Sequence, residues 1–72
     1  MEIEKGIYRH YKGNLYKVLE MVQHSESEEW LVLYQALYGE RGLWVRPYEM
    51  FMQTLMLEGE RVKRFEKVED EE

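Results

Sequence analysis

The chain has no cysteine, one proline and two histidines among its 72 residues. Without cysteine there is no disulfide framework, no thiolate metal site and no cysteine nucleophile. His10 and His24 with scattered carboxylates show no ligand spacing, so neither a metal nor a cofactor is expected. No run approaches the ~18 consecutive apolar residues that span a membrane. The opening "MEIEKG" is acidic, where a signal peptide would be basic and then apolar. The expectation is a cytoplasmic protein without membrane attachment, in keeping with the missing cysteines.

What is present is aromatic and charged. A chain this short buries only about 60% of the surface its unfolded state exposes. Its staple must be packing, and six tyrosines, two tryptophans and two phenylalanines supply the area. The net charge of −5 is uneven: "EDEE" at 69–72 carries four of the fifteen acids, leaving eleven against ten basic groups. Residues 5–17 hold Lys5, Arg9, Lys12 and Lys17 without an acid. We expect one domain over 5–66 and an acidic C-terminal tail over 67–72, its "EDEE" end at 69–72 frayed and solvated.

Turn signals recur at short intervals: "KGN" at 12–14, "SESEE" at 25–29, "GERG" at 39–42 and "EGE" at 58–60. Strand-length segments between them predict a small all-β barrel or sandwich. Across "KGN", a three-residue loop pairs Arg9 with Lys17 and Tyr8 with Val18, so Tyr8, Tyr16 and Val18 face the core with His10 among them. Alternation fails at "VLEMVQ", where Val18 inside would put Glu20 inside; a bulge near Leu19–Glu20 resolves this. Across "GERG", pairing Tyr38 with Leu43 and Gln35 with Arg46 makes a core face of Val32, Tyr34, Ala36, Tyr38, Leu43 and Val45. The opposite face is Leu33, Gln35, Leu37, Trp44 and Arg46. A core would not hold Gln35 and Arg46 unpaired, so that face is the candidate surface. Pro47 suits the first position of a helical turn at 47–50, followed by a strand and a hairpin through "EGE".

In combination, Tyr8-Arg9-His10, Lys12-Gly13, His24-Ser25-Glu26, Ala36-Leu37-Tyr38-Gly39, Trp44-Val45-Arg46-Pro47 and Met50-Phe51 resemble a small bacterial family catalogued as a domain of unknown function, DUF1653. The resemblance covers roughly residues 5–66. It implies an SH3-like β-barrel of five to six antiparallel strands with one short helical turn, and no established activity. Two positions depart from the family pattern: Lys63 stands where a proline often precedes Arg64-Phe65, and Met56 stands at a commonly polar position. Met52 and Met56 could form an exposed strip, which suggests a monomer or a weak homodimer through it.

Each polar cluster has a plain structural reading. His10 could act as a base or orient a ligand, yet no nucleophile is tied to it by spacing. "HSE" at 24–26 contains triad residue types, but triads are made by geometry and not by neighbours, so it reads as loop chemistry. "ALY" at 36–38 resembles part of a proline-peptide groove, but its remaining acidic-aromatic part is missing. Arg41, Arg46 and Trp44 fit an anion or an interface, or a network with Glu40 and Glu49. These residues together point to a non-catalytic binding or adaptor module using Arg9, His10, Gln35, Arg41, Trp44 and Arg46. Its partner would be a protein or a small anionic ligand. The alternative is nucleic-acid binding through the basic-aromatic stretch 5–17, where phosphates would meet cations and bases would stack on Tyr8, Tyr11 and Tyr16.

Overall fold

The computed structural model describes residues 2–71. The elements are β1 (Gly6–His10), β2 (Leu15–Gln23), β3 (Trp30–Ala36), β4 (Leu43–Pro47), α1 (Tyr48–Phe51), β5 (Thr54–Leu57), β6 (Glu60–Lys63) and β7 (Phe65–Asp70). The antiparallel order β4-β3-β2-β1-β7 makes one sheet, and β5-β6 makes a separate hairpin. Seven strands exceed the expected five to six because "RVKRF" breaks at Arg64. Its amide donates to the Gln53 carbonyl (2.8 Å), and its own carbonyl accepts from the Tyr11 amide (2.9 Å). The chain thereby leaves the β5 hairpin and joins β1.

The first hairpin forms, with its register displaced by two residues. Tyr8 lies opposite Tyr16, Gly6 opposite Val18 and Arg9 opposite Leu15. An even displacement keeps every side chain on its expected face. The loop closes one residue earlier because the His10 carbonyl accepts from Gly13 N (2.7 Å) while His10 N donates to the Asn14 carbonyl (2.8 Å). The bulge lies where alternation required it, between Val18 and Glu20. It buries Val18, leaves Glu20 exposed and turns Met21 against the core.

The second hairpin differs in kind. Tyr34 lies opposite Trp44, Val32 opposite Arg46 and Gln35 opposite Leu43, a displacement of three residues. An odd displacement exchanges faces. Trp44 and Arg46 therefore share the inner face with Val32 and Tyr34, while Leu43 and Val45 turn outward with Leu33 and Gln35. The loop closes with the Ala36 amide donating to the Gly42 carbonyl (3.0 Å) and the Arg41 amide to the Tyr38 carbonyl (3.1 Å), so Leu37–Arg41 lie outside the β3–β4 ladder. Tyr38, Leu43 and Val45, expected in the core, are 47%, 61% and 53% exposed.

The core is Tyr8, Val18, Val32, Tyr34, Phe51 and Phe65, with Ile3, Tyr16, Met21 and Tyr48 packed on it. Phe51 stacks on Phe65 with ring centroids 4.0 Å apart and planes within 4°. Pro47 starts α1, and this single turn lowers Phe51 into that stack. In the β5–β6 connection Glu58 and Gly59 both have positive φ, 50° and 83°. That is the type I′ geometry that suits a two-residue hairpin. The acidic end corrects the tail expectation for residues 67–70: β7 runs to Asp70, with Gly6 opposite Asp70 and Tyr8 opposite Lys67. Lys67 holds this end by ion pairs to Glu4 (2.7 Å) and Asp70.

Candidate functional site

Two neighbouring features occupy the end of the sheet where β1 meets Arg64, and they share His10. The first is an open groove of about 420 Å³ lined by Arg9, His10, Tyr11, Arg61, Val62, Lys63 and Glu66. Strand β1 carries Arg9 on its exposed side and His10 at its end. Alternation along β6 sends Arg61 and Lys63 the same way. Among the described residues the ion pairs are Lys5–Glu20, Lys67–Glu4 and Lys67–Asp70. Arg9, Arg61 and Lys63 thus have no carboxylate within 4.0 Å, and Glu66 is the groove's single acid.

The second feature is an aromatic mouth around Phe65. Phe51 covers one face of the Phe65 ring, and the Arg46 guanidinium lies over the ring with its carbon 5.7 Å from the centroid. His10 meets Phe65 edge-on at 4.9 Å, and Tyr16 and Tyr34 do so at 5.5 and 5.7 Å. Arg46 Nε donates a long hydrogen bond to the Tyr34 hydroxyl (3.4 Å). Arg64 Nη2 donates to Gln53 Oε1 (2.8 Å), while its Nε is buried without an acceptor. The Tyr16 and Tyr38 hydroxyls bond each other at 2.7 Å. Burial, followed by that bond, pushes the Tyr16 pKa up to about 12.

His10 Nδ1 accepts the Lys12 amide at 3.1 Å. In the neutral ring the proton therefore sits on Nε2. Burial, then the charges of Arg46, Arg64 and Lys12, hold its pKa below the ordinary 6.5. Between the lowered value and 6.5 the unfolded chain binds a proton that the folded chain does not. The stabilising contribution is complete above pH 6.5 and is lost as the pH falls through that window. Urea midpoints measured from roughly pH 7 down to pH 5 should fall in the wild type and fall less in His10→Asn, whose side chain can still accept the Lys12 amide. Equal slopes in the two proteins would remove His10 as the source.

The six residues singled out from the sequence do not form one face. Arg9 and His10 line the groove, and Arg46 lies in the mouth beside it. Trp44 is on the inner face but 60% exposed. Its indole packs toward Gly42, where an added Cβ would come within 3.3 Å of Nε1. Gln35 and Arg41 brace the β3–β4 loop instead, Gln35 Nε2 donating to the Arg41 carbonyl (3.1 Å). The basic stretch 5–17 is divided. Lys5 is paired with Glu20 (3.1 Å), Lys17 lines a separate depression with Glu69 and Asp70, and only Arg9, His10 and Tyr11 reach the groove. His24 builds its turn, with Nδ1 accepting from Glu26 N (3.1 Å) and Ser27 N (3.3 Å). Sequence reasoning missed Arg61, Lys63 and Arg64. Their signal was "RVKR", three cations in four residues, which reads as an ordinary exposed strand until the fold sets it beside β1.

Among the described residues no three histidine or carboxylate side chains converge as metal ligands, and no helix is long and apolar enough to cross a membrane. No curated protein matches the chain. A crystal structure of a DUF1653 protein from Bordetella bronchiseptica is similar to it with a TM-score of 0.87 and 29% identity, covering 99% of this chain and 94% of that one. The family described as Protein of unknown function (DUF1653) matches residues 6–67, which run from β1 into β7 and hold the groove, the mouth and the core between them. The likeness first visible in the Tyr-Arg-His and Trp-Val-Arg-Pro motifs thus extends over the whole fold, and the chain belongs to the DUF1653 family.

Proposed function

We propose that this protein is a non-catalytic binding module of the bacterial cytoplasm, SH3-like in architecture, that takes an anionic segment of a protein, or a small anionic ligand, along the groove of Arg9, His10, Arg61 and Lys63. The observation that carries the reading is the convergence of three cations with one acid and no ion pair in that groove. Opposite charge across such a surface speeds encounter and fixes orientation. The overall charge of −5 does not oppose this, because it is weighted to the other end of β7. The test is titration with a poly-glutamate peptide at low salt. Arg61→Glu/Lys63→Glu should weaken binding by at least about tenfold, since attraction becomes repulsion at two positions. Absence of binding by the wild type would overturn the reading.

Nucleic acid is the second reading, and Tyr11 among the groove cations favours it, since bases stack on such rings. A single-stranded oligonucleotide titrated over a salt series separates the two. Phosphate contacts give a linear fall of log affinity with log salt.

A further inference from the structure

The mouth beside the groove leaves a particular set of hydrogen-bonding groups unused. Arg46 Nε is taken by Tyr34, while its two terminal nitrogens have no acceptor among the described residues. His10 Nδ1 is taken by the Lys12 amide, so the ring nitrogen left over, Nε2, is a donor. The Tyr16 and Tyr38 hydroxyls are bonded to each other. Among the described residues no carboxylate lies within 4.0 Å of the Arg46 guanidinium. What Arg46 and His10 offer here is donors, and Arg46 adds a positive charge.

We propose that Arg46 and His10 form the recognition point for one oxyanion group, a carboxylate or a phosphate, of the ligand whose remainder lies in the groove. This rests on the anion-binding reading above. An oxyanion is the chemical complement, because it offers acceptors alone and carries the opposite charge. Arg46 is also preorganised. The Phe65 ring lies 5.7 Å from the guanidinium carbon and the Tyr34 hydroxyl accepts a long bond from Nε, so part of the side-chain freedom is already spent before binding. The terminal nitrogens of a guanidinium match two oxygens at once, which a lysine ammonium does not.

The two histidines make the test internal to the molecule. His24 lies in the β2–β3 turn and serves as the control for His10. The ring C–H resonances of both are followed by NMR against pH while inorganic phosphate or acetate is added. The groups around His10 are Arg46, Arg64, Lys12 and Tyr16, with the groove cations and Glu66 beyond them. Either anion should raise the His10 pKa, because a bound negative charge favours the imidazolium, and should leave His24 unmoved. Arg46→Lys keeps the charge and should weaken the effect by about tenfold. Arg46→Met keeps the stem over Phe65 and should abolish it. A stronger response to phosphate or to acetate identifies which oxyanion the site takes. If poly-glutamate binds but neither anion moves His10 beyond His24, the groove stands and the recognition point falls. An Arg46→Lys response equal to the wild type would also overturn it.

Discussion

Phe51→Ala should lower the stability of this domain by about 3–5 kcal/mol, the range for emptying a fully buried ring site. Phe51 is completely buried. It stacks on Phe65 at 4.0 Å, meets Tyr8 edge-on at 5.5 Å and lies against Tyr34 at 5.4 Å. It therefore joins β1, β3 and β7 in one contact. A four-residue helix has no stability of its own, so α1 is held in place mainly by this side chain, with Tyr48 packed beside it. Small domains have only about 5 kcal/mol or a little more to lose. The variant should be largely unfolded in mild urea, with the near-ultraviolet circular dichroism of the aromatic cluster collapsed. Phe51→Leu fills most of the space and should cost less than about 1.5 kcal/mol. Similar urea midpoints for the alanine variant and the wild type would show that the stack is not the keystone of the core.

Gly6→Ala should also be strongly damaging, although it adds only one methyl group. Gly6 has φ +146°, and a Cβ there would lie 2.3 Å from the Glu69 carbonyl oxygen. The obstacle is backbone on the neighbouring strand, so no side-chain rotation relieves it. Strained backbone and overpacking each cost about 1–3 kcal/mol, and the variant should lose about 3 kcal/mol. The loss should be local before it is global. β7 would separate from β1 at its Glu69–Asp70 end, and amide hydrogen exchange should accelerate there while the β2–β3 ladder stays protected. Gly39 offers a contrast. It also has positive φ, +59°, but nothing lies within 4 Å of an added Cβ, so Gly39→Ala should cost about 1 kcal/mol. Equal effects at the two glycines would show that the close approach to Glu69 is not what requires glycine.

Much of the fold was legible because several signals were local. The conflict between Val18 and Glu20 predicted the bulge from alternation alone. Pro47 announced the helical turn, and "EGE" announced a hairpin. Tyr8, Val18, Val32 and Tyr34 were legible as core because their spacing matches their elements. The candidate site was legible only in pieces. Arg9, His10 and Arg46 were named, but as neighbours of Trp44 and Gln35 on one strand face. In the fold they meet Arg61, Lys63 and Arg64, residues about fifty positions from Arg9, through a strand pairing that local periodicity does not contain.

The amino-acid order alone determined most of the strands and turns, where one strand must bulge and several of the large side chains that are buried. The tertiary structure decided the register of the second hairpin and the fate of the acidic end. Both depend on pairings that alternation does not contain: the Ala36 amide closes the β3–β4 loop on the Gly42 carbonyl, and β7 pairs with β1. Register has a period of two. A loop closure that shifts it by an odd number is therefore enough to turn Trp44 and Arg46 inward and Leu43 and Val45 outward. That exchange set Arg46 over Phe65 and beside His10.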